Sequence, residues 1–254
     1  MTEQLVRAER SGPIDVLVLD SQHNRNALSI RLLEELIEAV GRSAAGDGRA
    51  LVLDHEGPVF CAGVDLRERR ELGAGAQTQS LLLSRLLREL WAYPKPVLCR
   101  VAGAVRGGGM GLVACADIVV AARDASFAYS EVRVGVAPAL VAAVALAKVP
   151  LGVLLPWLLT GEAFDAEVAQ QIGLVARVAD APSLEPETSA IAKGGPKAVR
   201  AVKALSRQLT GADVPAHLEE MATLSIQLFA DPEALEGMSA FGERRLPAWV
   251  GRPA

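Results

Sequence analysis

Residues 97–138 read VLCRVAGAVRGGGMGLVACADIVVAARDASFAYSEVRVGVAP. Val97, Leu98 and Cys99, with Val101 beyond Arg100, have the composition of a buried strand. Three glycines follow, Gly107, Gly108 and Gly109, and then Met110, Leu112, Val113 and Ala114 give an apolar helix. Glycine lets a backbone pass close to a ligand with no Cβ in the way. A helix that opens directly after such a loop leaves its first N–H groups unpaired and its positive dipole end exposed. That combination holds an anion, or an oxygen that becomes anionic during a reaction. A tight strand-to-helix turn without any ligand needs the same small residues, so the triple glycine alone leaves both readings open.

Upstream of this stretch, residues 14–19 (IDVLVL) predict a strand and the SQHNRNA that follows predicts a turn. Ser29 suits the N-cap of a helix whose apolar positions Leu32, Leu33, Leu36, Ile37 and Val40 recur at helical spacing. Residues 50–53 predict a second buried strand. In GPVFCAGVDL, residues 57–66, small residues again interrupt an apolar run; a charged segment at 67–71 and a helix from about residue 81 to 91 follow. Downstream, strands are expected at 118–122 and near 127–129, then a long apolar helix from Pro138 to about Lys148. A helix capped near Asp165 comes next, and from Leu184 onward the pattern is helical. Alternating strands and helices followed by helices alone predict an α/β core with a helical C-terminal part.

The chain has 254 residues, of which 51% are hydrophobic and 22% charged, a globular composition. With aromatics at 4%, a net charge of −4 and no dense Lys/Arg run, nucleic acid is not an expected partner. Neither is a membrane: the most apolar stretch, 134–155, is broken by Pro138, Lys148 and Pro150. The start lacks the apolar core of a signal peptide, and Cys61, Cys99 and Cys115 read as buried free thiols, so a cytoplasmic location is expected. His23, His55 and His217 are scattered, and no metal site is expected.

Six segments occur together in one order: HNRNALS (23–29), FCAGVDL (60–66), AGAVRGGGMGLVACADI (102–118), FAYSEVRVGVAP (127–138), TGEAFDAEVAQQIGLV (160–175) and DPEALEGMSAFGERRLPAW (231–249). In order and spacing they resemble the crotonase superfamily, the enoyl-CoA hydratase/isomerase family, over almost the whole chain. The resemblance implies an α/β fold: a crotonase-like spiral of strand-strand-helix turns over residues 1–190, then a helical trimerisation region over 191–254. That spiral replaces plain strand–helix alternation. The resemblance also implies an acyl-CoA thioester as substrate, no cofactor beyond the coenzyme A it carries, and a homotrimer or hexamer. Apolar residues such as Leu224, Phe229, Phe241 and Trp249 are candidates for that interface.

Family members polarise the thioester carbonyl with two backbone N–H groups. By motif these fall on Val64, after Ala62 and Gly63, and on Gly108 beside Gly107; Asp65 and Leu66 complete the first binding segment. The local reading agrees, because an enolate oxygen needs donors already in place at a helix start. Arg244 and Arg245 fall where relatives carry a basic residue for the CoA phosphates, and Arg106 beside the glycines is a further candidate.

Two-glutamate hydratases carry one glutamate in a GGGxE pattern, a position held here by Gly111. The second matches Glu131 in SEVRVG. Taken alone, Glu131 reads as a surface carboxylate paired with Arg133; with the resemblance, its neighbours Phe127, Tyr129, Val132 and Val134 fit a poorly solvated pocket that raises its pKa. One carboxylate suffices to carry a proton from C2 to C4 in 3,2-double-bond isomerisation, and in principle for syn hydration of a 2-enoyl-CoA. Asp65, Glu68 and Glu71 are candidates for a second acid on a mobile lid. Other crotonase reactions, such as thioester hydrolysis or decarboxylation, and a non-catalytic acyl-CoA-binding paralogue are the alternatives.

Overall fold

The computed structural model describes residues 4–209 and 211–250. The chain opens on an antiparallel hairpin: β1 (Val6–Ser11) pairs with β2 (Ile14–Leu19) from Val6↔Leu19 to Ser11↔Ile14. β2 has the expected bounds. β1 carries no apolar alternation, because it is an edge strand whose residues beyond Arg7 are exposed, and periodicity does not find it. Next, α1 (Ile30–Ala45) leads to β3 (Ala50–His55), which lies parallel to β2. Ser29 caps α1, its hydroxyl accepting Leu32 N–H at 3.2 Å, and Leu32, Leu33, Leu36, Ile37 and Val40 are all buried.

From β3 onward one unit recurs. β3 is followed by β4 (Val59–Cys61), α2 (Leu66–Leu72) and α3 (Gln77–Trp91). β5 (Val97–Val101) is followed by β6 (Ala104–Arg106) and α4 (Gly108–Cys115). β7 (Ile118–Ala122) is followed by β8 (Ser126–Ala128), a 3-10 turn at Ser130–Val134, α5 (Ala139–Ala145) and α6 (Leu151–Thr160). β9 (Phe164–Asp165), α7 (Ala166–Gln171) and β10 (Arg177–Ala179) end the strand-bearing part. In each turn the first strand joins a six-stranded sheet, ordered β1-β2-β3-β5-β7-β10, and the second a four-stranded sheet, ordered β4-β6-β8-β9. The spiral of strand-strand-helix turns implied by the resemblance is therefore the architecture.

Two local expectations are corrected. The charged segment at 67–71 lies within α2, because Asp65 caps it and accepts Arg67 and Glu68 N–H, each at 3.1 Å. The apolar helix after Pro138 stops at Ala145, where a turn ahead of Pro150 breaks it. After β10 the chain continues as α8 (Glu185–Lys193), α9 (Pro196–Leu209), α10 (Val214–Phe229) and α11 (Pro232–Glu243); the last four residues of 191–254 lie outside the described residues. Of the apolar interface candidates, Phe229 is buried within the chain, while Leu224, Phe241 and Trp249 are exposed.

α4 is the centre of the core: all of its residues are buried. A helix apolar on every side has to be enclosed. It packs against β4 so closely that a Cβ on Gly109 would stand 2.7 Å from Cys61 Cβ. Cys61, Cys99 and Cys115 are buried free thiols. Among the described residues no helix is long and apolar enough to cross a membrane.

Candidate active site

The two glycine-bearing segments meet. Gly107 precedes α4 at φ 48°, ψ −121°, a backbone open to glycine alone, and its N–H donates to Ala128 O at 3.1 Å. Gly63 follows β4 at φ 92°. A Cβ on Gly63 would stand 3.6 Å from Gly107 Cα, and a Cβ on Gly107 would stand 3.6 Å from Gly63 Cα. Bare backbones thus face each other at van der Waals distance.

The residue after each glycine presents an N–H. Gly108 is the first residue of α4, so its N–H has no intrahelical acceptor. Val64 forms a parallel bridge with Leu28 in which Leu28 N–H donates to Gly63 O at 2.7 Å and Asp65 N–H donates to Leu28 O at 3.3 Å. Leu28 uses both its groups in that bridge, so Val64 N–H points to the opposite side. Two buried side chains hold these loops: Asn26 accepts Ser21 N–H and donates to Glu56 O and Val59 O, and Leu28 underlies Gly108.

Both segments line a cavity of about 1200 Å³. Ala62, Gly63, Val64, Asp65, Leu66, Gly107, Gly108 and Glu131 all face it, as the sequence reading expects. Glu131 sits in the 3-10 turn after β8, and a Cβ on Gly107 would stand 3.5 Å from its Oε1. Its Oε2 is buried and, among the described residues, has no hydrogen-bond partner. Burial pushes the carboxyl up to about 7, with a backbone hydrogen bond opposing in part. The alternative pairing with Arg133 does not form: Arg133 pairs with Glu162. Beside Glu131, the Tyr129 hydroxyl is also buried and unpartnered, and burial raises its pKa.

The other carboxylates of the cavity are engaged. Asp65 caps α2 and accepts Asn24 Nδ2 at 2.9 Å. Glu68 Oε2 accepts Ile30 N–H at 2.9 Å and Gln79 Nε2 at 2.6 Å, which closes the start of α1. Glu71 pairs with Arg67 at the surface. Gly111 is buried and does not line the cavity; a Cβ there would stand 2.9 Å from Leu87 Cδ2 and 3.3 Å from Val141 Cγ1. Apolar side chains occupy the space around a second carboxylate's position.

Of the cationic candidates, Arg106 lines the cavity but spends its guanidinium on Val105 O, Ser126 O and Ser126 Oγ. Arg244 caps the C-terminal end of α11 at φ 57° and does not line the cavity; Arg245 pairs with Glu236 and Glu243. Sequence reasoning overlooks Arg25, an exposed cavity residue in the left-handed region. Its place within HNRNALS, between two turn-forming asparagines, is the available signal. Ser80, Ser225 and Phe229 also line the cavity unpredicted, since α3 and α10 read simply as amphipathic helices. Among the described residues no group of three or more His, Cys, Asp or Glu is placed to hold a metal ion.

Residues 9–252 match the family described as enoyl-CoA hydratase/isomerase. Human enoyl-CoA hydratase domain-containing protein 3, mitochondrial, is 34% identical over 245 residues, 93% of this chain and 80% of that protein. The crystal structure of an enoyl-CoA hydratase from Mycobacterium avium superposes with a TM-score of 0.87 at 34% identity, covering 98% of this chain and all of that one. An enoyl-CoA hydratase from Mycobacterium smegmatis gives 0.78 at 33% identity, again over 98% of this chain. With the spiral fold and the paired glycine segments, these matches place the chain in the enoyl-CoA hydratase/isomerase family of the crotonase superfamily.

Proposed function

We propose that the protein is an acyl-CoA enzyme of the hydratase/isomerase type, with Glu131 as its acid–base group. The observation that carries this reading is the Glu131 carboxylate, with one buried oxygen unpartnered and its pKa raised to about 7, beside the facing glycines. The thioester oxygen sits between the N–H groups of Val64 and Gly108. As C2 loses a proton, negative charge collects on that oxygen, and fixed donors stabilise it without reorganising. Glu131, ionised in half of the molecules near neutral pH, takes the proton from C2. Returned to C4, that proton completes a 3,2 double-bond shift. For hydration of a 2-enoyl-CoA the same carboxylate draws a proton from water attacking C3, and the proton goes to C2. A single unengaged carboxylate is sufficient for either route.

The test is a paired assay, hydration of 2-enoyl-CoA and migration of a 3-enoyl double bond, on wild type and Glu131→Gln. Both activities of the variant are expected to fall by roughly 10²–10⁴-fold, the usual contribution of a positioned base. Affinity for the acyl-CoA should change little, because the N–H donors remain. Near wild-type turnover in Glu131→Gln would overturn the assignment.

A further inference from the structure

One arginine is buried beside the cavity and has, among the described residues, no anion to balance it. Arg69 on α2 is 4% exposed. Its guanidinium lies 3.6 Å from the centroid of the Phe229 ring, and its Nη1 donates to Ser80 Oγ at 3.3 Å. Ser80 Oγ in turn lies 3.3 Å from Ser225 Oγ. Ser80, Ser225 and Phe229 all line the cavity, so the guanidinium stands directly behind its wall. Of the other buried cations, Lys203 pairs with Asp117, and Lys95 donates to two backbone carbonyls, Ser43 O and Gly46 O. Among the described residues Arg69 has no carboxylate partner, and burial alone draws its pKa down to about 10.

A guanidinium offers five donors in a fixed fork suited to carboxylates. A cation–π contact and one neutral hydrogen bond leave most of that capacity unused, and an unbalanced buried charge is costly. Its position relative to the glycines is defined. Leu83 Cδ2 would lie 3.2 Å from a Cβ on Gly108. Ser80 precedes Leu83 by three residues on α3, a little under one turn or ~4.5 Å along the axis. An acyl chain whose carbonyl lies at Gly108 and which runs along α3 past Leu83 heads toward Ser80 and Ser225 in the cavity wall, behind which Arg69 donates to Ser80 Oγ. An alkyl end placed there would leave the charge unmatched and desolvated further, whereas a carboxylate balances it.

We propose that Arg69, Ser80 and Ser225 form a recognition site for a terminal carboxylate on the acyl group, so that the protein favours short dicarboxylic monothioesters of CoA. This rests on reading the cavity as an acyl-CoA site. Calorimetry on the full-length protein with glutaryl-CoA and pentanoyl-CoA tests it, since the two share a five-carbon chain and differ in its terminal group. Wild type is expected to bind glutaryl-CoA roughly tenfold to a hundredfold more tightly, the range of charge-assisted hydrogen bonds. Arg69→Met, which keeps a long stem against Phe229, should lose that preference while retaining pentanoyl-CoA, and Arg69→Lys should keep part of it. Pentanoyl-CoA bound as tightly as glutaryl-CoA by wild type overturns the inference and leaves the acyl-CoA site standing. A preference that survives Arg69→Met overturns the assignment to Arg69; Arg69→Gln serves the same purpose should the methionine variant not fold. If neither thioester binds wild type, the acyl-CoA reading fails and this inference with it.

Discussion

The floor and the lid of the cavity treat their carboxylates in opposite ways. On the lid, Asp65 and Glu68 accept two or more hydrogen bonds each, from helix N-termini and from Asn24 or Gln79. On the floor, Glu131 keeps one buried oxygen without a partner among the described residues. The lid acids hold α1 and α2 in place, and their lone pairs are committed to that work. The floor acid is held by its backbone turn, so its carboxylate is available to a substrate proton. Proximity to a cavity therefore does not identify the chemical group; the state of its hydrogen bonds does.

A large effect, second only to that of Glu131→Gln, is expected on the floor from a backbone donor. Gly108→Pro removes the N–H at a helix position that proline otherwise suits, and turnover should fall by roughly 10²–10³-fold, as for loss of one oxyanion donor. Gly108→Ala is the control, since its Cβ meets the same Leu28 Cδ1 at 2.8 Å but the N–H stays. Equal activity in the two variants, both shown to be folded by circular dichroism, would break the floor's claim to the chemistry.

A smaller effect sharpens the contrast through stability. The Glu131 carboxyl moves from 4.5 to about 7 on folding. Between these values the folded protein retains a proton that the unfolded chain has lost. The group's contribution to stability is therefore fully present below about pH 4.5 and is lost as pH rises through 7. Glutamine does not titrate, so Glu131→Gln should gain on wild type across that window, by up to about 3 kcal/mol at alkaline pH. Urea denaturation at several pH values measures the difference; a variant less stable than wild type at pH 8 would contradict the unpartnered carboxylate.

The smallest effect belongs to the lid. Glu68→Ala removes the acceptor at Ile30 N–H and should cost about 0.5–2 kcal/mol, the range for a lost helix cap. Its kcat should stay far closer to wild type than that of Glu131→Gln. The two variants then cross: one loses activity and gains stability, the other loses stability and keeps activity. A large fall in kcat for Glu68→Ala would move the acid–base role to the lid.

Legibility in the sequence follows the same division. The floor was readable because its elements are local. β5, the triple glycine and the apolar α4 lie within nineteen consecutive residues, 97–115, and Glu131 follows in a motif of its own. The Gly63 segment was readable only through its resemblance to a family, because nothing in FCAGVDL announces that Gly63 will face Gly107 from the ends of β4 and β6, neighbours in the four-stranded sheet. Splitting each strand pair between two sheets is a long-range property that no window of periodicity carries. Arg69 was invisible for a related reason. In the run Arg67 to Glu71 it looks like one more solvated charge, and only the fold of α2 against α10 turns it inward. Gly111 was read as the position of a missing carboxylate; the apolar packing around it needed Leu87 and Val141 to be placed.

The contact between Gly63 and Gly107 bears on how this enzyme can change. At that waist the cavity is bounded by main chain on both sides, with Cα atoms where other sites have side chains. Point mutation works by exchanging side chains, so it has almost nothing to act on there. A bulkier residue is excluded twice, by space and by positive φ at both glycines. Diversification is consequently confined to the walls beyond the waist, where Leu83, Val141 and Ser225 can be exchanged one at a time. Directed evolution toward new acyl groups should accumulate its substitutions on those walls, while the two touching glycine backbones stay fixed.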